Sequence, residues 1–209
     1  MRRELPILFN TEMVRAILDG RKSCTRRIVK HDVKAILNSP YHKEHPEVED
    51  KQIISKLCMP PYQIGDILYV RETWYKGLER YMYRADYSDT EKFYRDGKEI
   101  EMKWHPSLHM PKDAARIFLR VTNVRVERLQ EITEDEAVKE GIYQSNCKEC
   151  NAPFGCDACP DEGYNEIDGF ADLWNSTIKK SDLDRYGWDA NPWVWVIEFE
   201  RCEKPGSEV

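Results

Sequence analysis

The chain has no apolar run approaching the roughly 18 residues that a membrane helix requires, which excludes a helical spanning protein. Its first residues also lack a signal-peptide core, because Pro6 breaks the stretch Leu5 to Phe9 and Asn10 ends it. No internal repeat and no low-complexity tract is present. A cytoplasmic protein without a membrane partner is the expectation. Its 209 residues suit one domain of generous size, or a compact domain carrying insertions. The composition, 41% hydrophobic and 33% charged, is polar for a globular chain.

Excess positive charge is lacking too. The net charge of −6 argues against a protein coated with basic residues for duplex nucleic acid. That average is uneven. Residues 1–34 hold nine Lys/Arg against four Asp/Glu, whereas residues 131–170 hold eleven acids against two lysines. A basic N-terminal region beside an acidic insertion is compatible with a focused site for an anionic ligand, and equally with two solvated surfaces of opposite sign.

Cysteine is plentiful in one place. Cys147, Cys150, Cys156 and Cys159 form a C-x2-C-x5-C-x2-C pattern, with Pro153 and Gly155 between the pairs. Two such pairs bring four thiolates to one tetrahedral ion. Gln144 to Glu166 shows little hydrophobic periodicity, so its order would come from the metal. Structural zinc (Zn2+) is favoured. An iron–sulfur cluster satisfies the same spacing; a disulfide pair is disfavoured by a reducing compartment, and exposed thiols remain open. Four protein ligands leave no open position for catalysis. Cys24, Cys58 and Cys202 are scattered and read as packed thiols.

Asn10-Thr11-Glu12 starts a helix with Met13, Ala16 and Ile17 on one face, and Gly20 follows its end. Arg21 to Arg27 then reads as a basic loop. Residues 38–63, with four prolines, read as an irregular excursion or a short helix from Asp50 to Leu57 between loops. Ile67 to Trp74 is rich in β-formers, and Tyr81 to Ala85 reads as its antiparallel successor. Asp96-Gly97 signals a hairpin. Two further strands are expected over Ala115–Val121 and Val124–Leu129. Thr133-Glu134-Asp135-Glu136 is a capping box for a helix that Gly141 ends. Gly169 to Ile178 is helical in period, and Trp193 to Glu200 is a strand with Trp193, Trp195, Ile197 and Phe199 on one face. Short strands without a βαβ repeat indicate an α+β fold built on a small mixed barrel.

Three segments concentrate chemistry: Gly20 to Arg27, Gly65 to Trp74, and the Pro-bounded loop Trp104 to Pro111 with His105 and His109. Pro106 precludes a clean helix there, so the two histidines read as hydrogen-bonding loop residues and not metal ligands. The first segment resembles the G-x-K-x-x-x-x-R loop of the ASCH domain family in the PUA-like superfamily, through Gly20, Lys22 and Arg27, with Thr25 at a position often threonine. Gly65 to Trp74 matches the family block Gly-Asp-x-x-x-Val-Arg-Glu-x-Trp. The runs Tyr83–Asp86, Pro106–Pro111, Ala115–Ile117 and Tyr186–Val196 are similar to those of the longer phage and prophage ASCH proteins. The likeness covers most of residues 1–209, least at 38–60 and 87–103.

That resemblance implies a single domain with a PUA-like mixed β-barrel, flanking short helices and, in this chain, an inserted four-cysteine zinc knuckle at about 144–166. It implies recognition of a nucleobase, modified nucleoside or single-stranded RNA in a basic cleft. Small ASCH proteins include an amidohydrolase of acetylcytidine using Lys, Thr and Glu, which correspond to Lys22, Thr25 and, by motif neighbourhood, Glu72. In that reading Lys22 accepts the Thr25 proton, Glu72 holds the lysine or delivers a proton, and Arg71 stabilises an oxyanion. Gly20, Arg21, Arg26 and Arg27 would line the ligand site, with Trp74 and Tyr83 offering faces for a base. A ribonuclease, or an interaction protein docking a partner through its zinc knuckle, are the alternatives. Protein purified without chelators is expected to carry one equivalent of zinc or a stoichiometric iron cluster by elemental analysis; neither metal would remove the four-thiolate site.

Overall fold

In the computed structural model, residues 3–78, 80–95, 97–142 and 165–206 are described. The strands are β1 (Glu4–Leu8), β2 (Cys24–Ile28), β3 (Ile67–Arg71), β4 (Trp74–Lys76), β5 (Tyr81–Tyr83), β6 (Phe93–Arg95), β7 (Lys98–Ile100), β8 (Phe118–Arg128) and β9 (Trp193–Cys202). The helices are α1 (Thr11–Leu18), α2 (Val33–Leu37), α3 (Pro40–Glu44), α4 (Asp50–Leu57), α5 (Glu134–Lys139), α6 (Glu166–Thr177) and α7 (Leu183–Tyr186). The fold is mixed α+β, and no helix among the described residues is long and apolar enough to cross a membrane. Two compact units divide the chain, the first Met1–Gly20, Gly65–Val121 and Glu200–Val209, the second Arg21–Ile64 and Thr122–Phe199.

In the first unit β1 lies parallel to β3, with Leu5 opposite Leu68, and β3 is antiparallel to the start of β8, with Leu68 opposite Leu119. Pro6 has no N–H to donate, and β1 is accordingly an edge strand. The Asn10 side chain accepts from the Met13 amide at 2.8 Å and starts α1, whose Val14, Ala16 and Ile17 are buried. The expected strand from Ile67 to Trp74 is broken at Glu72 and Thr73; β4 pairs instead with β5, Trp74 opposite Tyr83. Trp74, Met110, Ala114, Ala115 and Phe118 pack as one apolar cluster. In the β6–β7 hairpin Gly97 has φ +74°, which suits a hairpin turn, while Asp96 lies outside the described residues.

In the second unit β9 lies between β8 and β2, and β2 runs antiparallel to it, with Thr25 opposite Ile197. Trp193 to Ile197 are all buried, so both faces of β9 are covered, not only the face that alternation marks. Two expected strands prove to be one, because Val121 to Val124 continue the extended backbone of β8. The second half of the expected basic loop is β2. Helices α5 and α6 cover the sheet through Ala137, Phe170 and Trp174, which cluster with Leu129, Val194 and Val196. Trp174 Nε1 donates to the Tyr186 carbonyl at 2.8 Å, and the Trp188 amide donates to Asn175 Oδ1 at 2.8 Å, so α6 fixes the approach to β9. Gly187 is required there, since a Cβ would meet the Leu183 carbonyl oxygen at 2.6 Å.

Among the described residues the strands form sheets with no closed barrel. Cys147, Cys150, Cys156 and Cys159, the expected knuckle, lie outside the described residues. The capping box is present: Thr133 Oγ1 accepts from the Glu136 amide and Glu136 Oε2 from the Thr133 amide, both at 3.3 Å. Thr133→Ala should lower stability by about 1 kcal/mol, and Thr133→Ser should nearly restore it, read as the urea midpoint.

Candidate functional site

Gly20, with φ +77°, follows the end of α1 in a conformation that a side chain would resist. The chain then enters the second unit, and Lys22 turns inward until it is 3% exposed. Its Nζ donates to the carbonyl of Cys24 at 2.8 Å, to the carbonyl of Glu140 at 2.7 Å and to Glu140 Oε2 at 2.7 Å. Three acceptors match the three protons of an ammonium, so Lys22 stands here as a donor.

Arg26, 2% exposed, shares the same carboxylate. Its Nη1 reaches Glu140 Oε1 at 3.3 Å, its Nη2 reaches Glu136 Oε2 at 2.8 Å, and the guanidinium lies 5.6 Å from the centroid of the Phe170 ring. Arg125 extends the cluster to Glu127 at 2.5 Å and to Glu136 and Glu198. Each cation is thereby committed to a carboxylate, and none is spare for phosphate. Burial, with a smaller contribution from Glu140, pushes the neighbouring Cys24 thiol up to about 12. It is thus a packed thiol at neutral pH, neither nucleophile nor metal ligand.

Alternation along β2 sends Thr25 and Arg27 to the face opposite Cys24 and Arg26. Thr25 is 1% exposed, and its Oγ1 accepts from Arg27 Nη1 at 3.0 Å. Arg27 also donates to the Arg26 carbonyl at 3.2 Å, and burial pulls its pKa below the ordinary guanidinium value. Arg21 reaches the Gly141 carbonyl at 3.2 Å.

Glu72 belongs to the first unit, in the break between β3 and β4. It is 1% exposed, and Arg116 grips its carboxylate with two hydrogen bonds, Nε to Oε1 at 2.9 Å and Nη2 to Oε2 at 3.0 Å. Arg116 also binds Asp86, Nη1 to Oδ2 at 2.8 Å, and lies 4.0 Å over the Tyr83 ring. Burial lifts the Glu72 carboxyl above the usual carboxylate range, with Arg116 opposing it. For Arg116 burial acts downward, but its hydrogen bonds to Glu72 and Asp86 hold the guanidinium above its ordinary value.

Trp74 and Tyr83 differ from the open platforms expected of them. The Trp74 indole is 8% exposed within the apolar cluster, and one Tyr83 face is covered by Arg116 while its hydroxyl donates to the Ala114 carbonyl at 2.7 Å. Arg71 is occupied similarly, its Nε donating to the Met110 carbonyl at 2.7 Å. His105 exchanges backbone hydrogen bonds with Trp74 and stacks on Tyr75, as a loop-bracing residue should. Among the described residues no group of three His, Cys, Asp or Glu side chains is placed to hold a metal.

Lys22, Thr25, Arg26 and Arg27 thus fall together in the second unit, and Glu72, Arg71, Trp74 and Tyr83 in the first. Sequence reasoning missed the partners Glu140, Glu136, Arg116 and Asp86. Glu136 and Glu140 are four apart across the end of α5, a spacing that puts two carboxylates on one side. Asp86 and Arg116 lay inside recurring blocks, but nothing local marks them as partners of Glu72.

No family model matches the chain, and no curated protein matches it. A solved structure described as a high-resolution crystal structure of an ASCH domain from Lactobacillus crispatus is similar over 95% of this chain and 79% of that chain, at 13% identity and a TM-score of 0.41. A likeness of that extent establishes no family membership.

Removing Lys22 alone leaves the buried Glu140 carboxylate with Arg26 at 3.3 Å and Oε2 without its 2.7 Å donor. Lys22→Met should therefore cost about 3–5 kcal/mol, whereas Lys22→Met combined with Glu140→Leu should recover a large part of the loss, measured as a double-mutant cycle in urea.

Proposed function

We propose that the protein recognises a nucleobase, a modified nucleoside or single-stranded RNA through the Gly20 to Arg27 segment, as the sequence resemblance to ASCH proteins implies. The observation that carries this reading is the hydroxyl of Thr25, buried and accepting a hydrogen bond from the Arg27 guanidinium. A cationic donor on that oxygen stabilises negative charge developing there, which an inert packing threonine does not need. The buried Lys22–Glu140–Arg26 cluster ties the segment that carries Thr25 to the end of α5 and so holds it in place.

The finer form of the proposal is hydrolysis of an N-acylated cytidine. Lys22 Nζ donates to Glu140 and makes no hydrogen bond to Thr25, whose Oγ1 is bonded by Arg27. It would give its proton to the Glu140 carboxylate, swing away from α5 and accept the proton of Thr25. The Thr25 oxygen attacks the acyl carbon, the carbon–nitrogen bond breaks, and the leaving amine takes a proton from Lys22. Water then hydrolyses the acyl–threonine ester and releases the acid. Glu140 is the proton store that the motif alone did not identify. Glu72, named by its motif position, lies in the first unit with its carboxylate held by Arg116, and takes no part in this step.

Incubation with N4-acetylcytidine should release cytidine and acetate, and Thr25→Ala should abolish the release. Binding of cytidine without turnover would leave recognition standing and discard the hydrolysis. Neither binding nor turnover, in folded protein, would overturn the proposal.

A further inference from the structure

The second unit contains a cavity of about 530 Å3 where the end of β2, α2, the end of β8 and the connection from α7 to β9 come together. Its wall includes Lys34, Arg128 and Arg185, together with His31, Tyr186 and Trp193. Within this unit Lys22 pairs with Glu140, Arg26 with Glu136 and Glu140, Arg125 with three glutamates, and Lys51 with Glu131. Lys34, Arg128 and Arg185 form no salt bridge among the described residues, although the Glu131 carboxylate accepts from the Arg128 amide at 3.0 Å and attracts its guanidinium. The one acid of the wall, Asp32, is engaged in capping α2, its Oδ1 accepting from the Ala35 amide at 3.0 Å. In a chain of net charge −6, three cations without a salt bridge around one hollow reverse the local sign.

The two guanidinium groups are also held in place before any ligand arrives. Arg128 lies 4.4 Å over the Trp193 ring and donates Nη1 to the Asn191 carbonyl at 3.0 Å; Arg185 lies 4.9 Å over the Tyr186 ring. A guanidinium has five N–H donors, so Arg128 keeps most of its donors after that bond. Asn191, at φ +44°, is the one non-glycine residue in the left-handed region among the described residues. Its backbone fixes Arg128, and its side chain accepts from the Gln130 amide at 2.9 Å. The indole of Trp193, 8% exposed, carries a buried Nε1 with no hydrogen-bond partner. Its ring serves Arg128 as a cation–π support and not as a donor into the cavity.

The cavity is far larger than a phosphate ion and falls in the range of small-molecule sites, about 300–1,000 Å3. Its apolar wall, with Val33, Leu37 and Pro192, suits the uncharged part of a ligand whose charged end meets the cations. We propose that this cavity is a second binding site, which takes the phosphate of a nucleotide with Lys34, Arg128 and Arg185 as its phosphate-binding residues. The site is separate from the Gly20 to Arg27 segment and stands whether or not Thr25 is a nucleophile. Bidentate guanidinium–phosphate pairing supplies the affinity, and the same chemistry serves a free mononucleotide or a phosphate of a single strand.

Isothermal titration of the full chain with uridine 5′-monophosphate, with uridine and with 5′-phosphorylated tetrauridylate distinguishes the two sources. Lys34 and Arg185 are exposed, so the double variant Lys34→Glu/Arg185→Glu should keep its melting temperature while losing at least about tenfold in affinity for the phosphate probes. Uridine should bind at least about tenfold more weakly than its monophosphate. Arg128→Gln should also weaken the monophosphate. If tetrauridylate alone binds, with the salt slope of its affinity falling by about 1.4 in the double variant, the site takes a strand; monophosphate binding assigns it to free nucleotides. Equal affinity for uridine and its monophosphate, unchanged binding in the double variant, or no binding of either phosphate probe would overturn the proposal.

Discussion

The second unit depends on one carboxylate. Glu140, just past the end of α5, receives Lys22 through both its backbone carbonyl and its side chain, and receives Arg26 on its other oxygen. An ammonium and a guanidinium removed from water are tolerable only with partners of this quality, because an uncompensated buried charge costs several kcal/mol. The pair therefore ties the segment following α1 to α5, and the backbone bond from the Ser23 amide to the Lys139 carbonyl repeats the tie in neutral form.

Arginine has three distinct uses here. Arg26 and Arg125 are structural, saturated by glutamates. Arg116 is bidentate on a buried carboxylate, so its plane orients Glu72 as much as it neutralises it. Arg128 and Arg185 are supported by aromatic rings and form no salt bridge among the described residues. Residue type alone does not separate these uses; the neighbourhood of acids does. The signature loop looked like the ligand-binding cation cluster because it is locally basic, yet its most buried cations are already paired within the protein.

Local signals were legible and distant pairings were not. The α1 start, the bounds of α4, the Thr133 capping box and the turn at Gly97 follow from neighbours in sequence, and they stand as the sequence suggests. The strand character of β2 was hidden because Thr-Arg-Arg reads as a solvated loop unless the acids of α5 are known to await it. The break at Glu72 was hidden for the same kind of reason: it is made by Arg116 and Met110, 44 and 38 residues away. Trp74 and Tyr83 were recognised as important aromatics, but whether a ring face is open depends on what packs over it.

Ile142 and Ile167, which stand on either side of residues 143–164, pack against the same apolar cluster of the second unit, built by Leu129, Ala137, Phe170, Trp174, Val194 and Val196. The two points at which the described chain leaves and re-enters this unit are therefore anchored to one core, and burial of apolar side chains on both sides holds them whatever lies between.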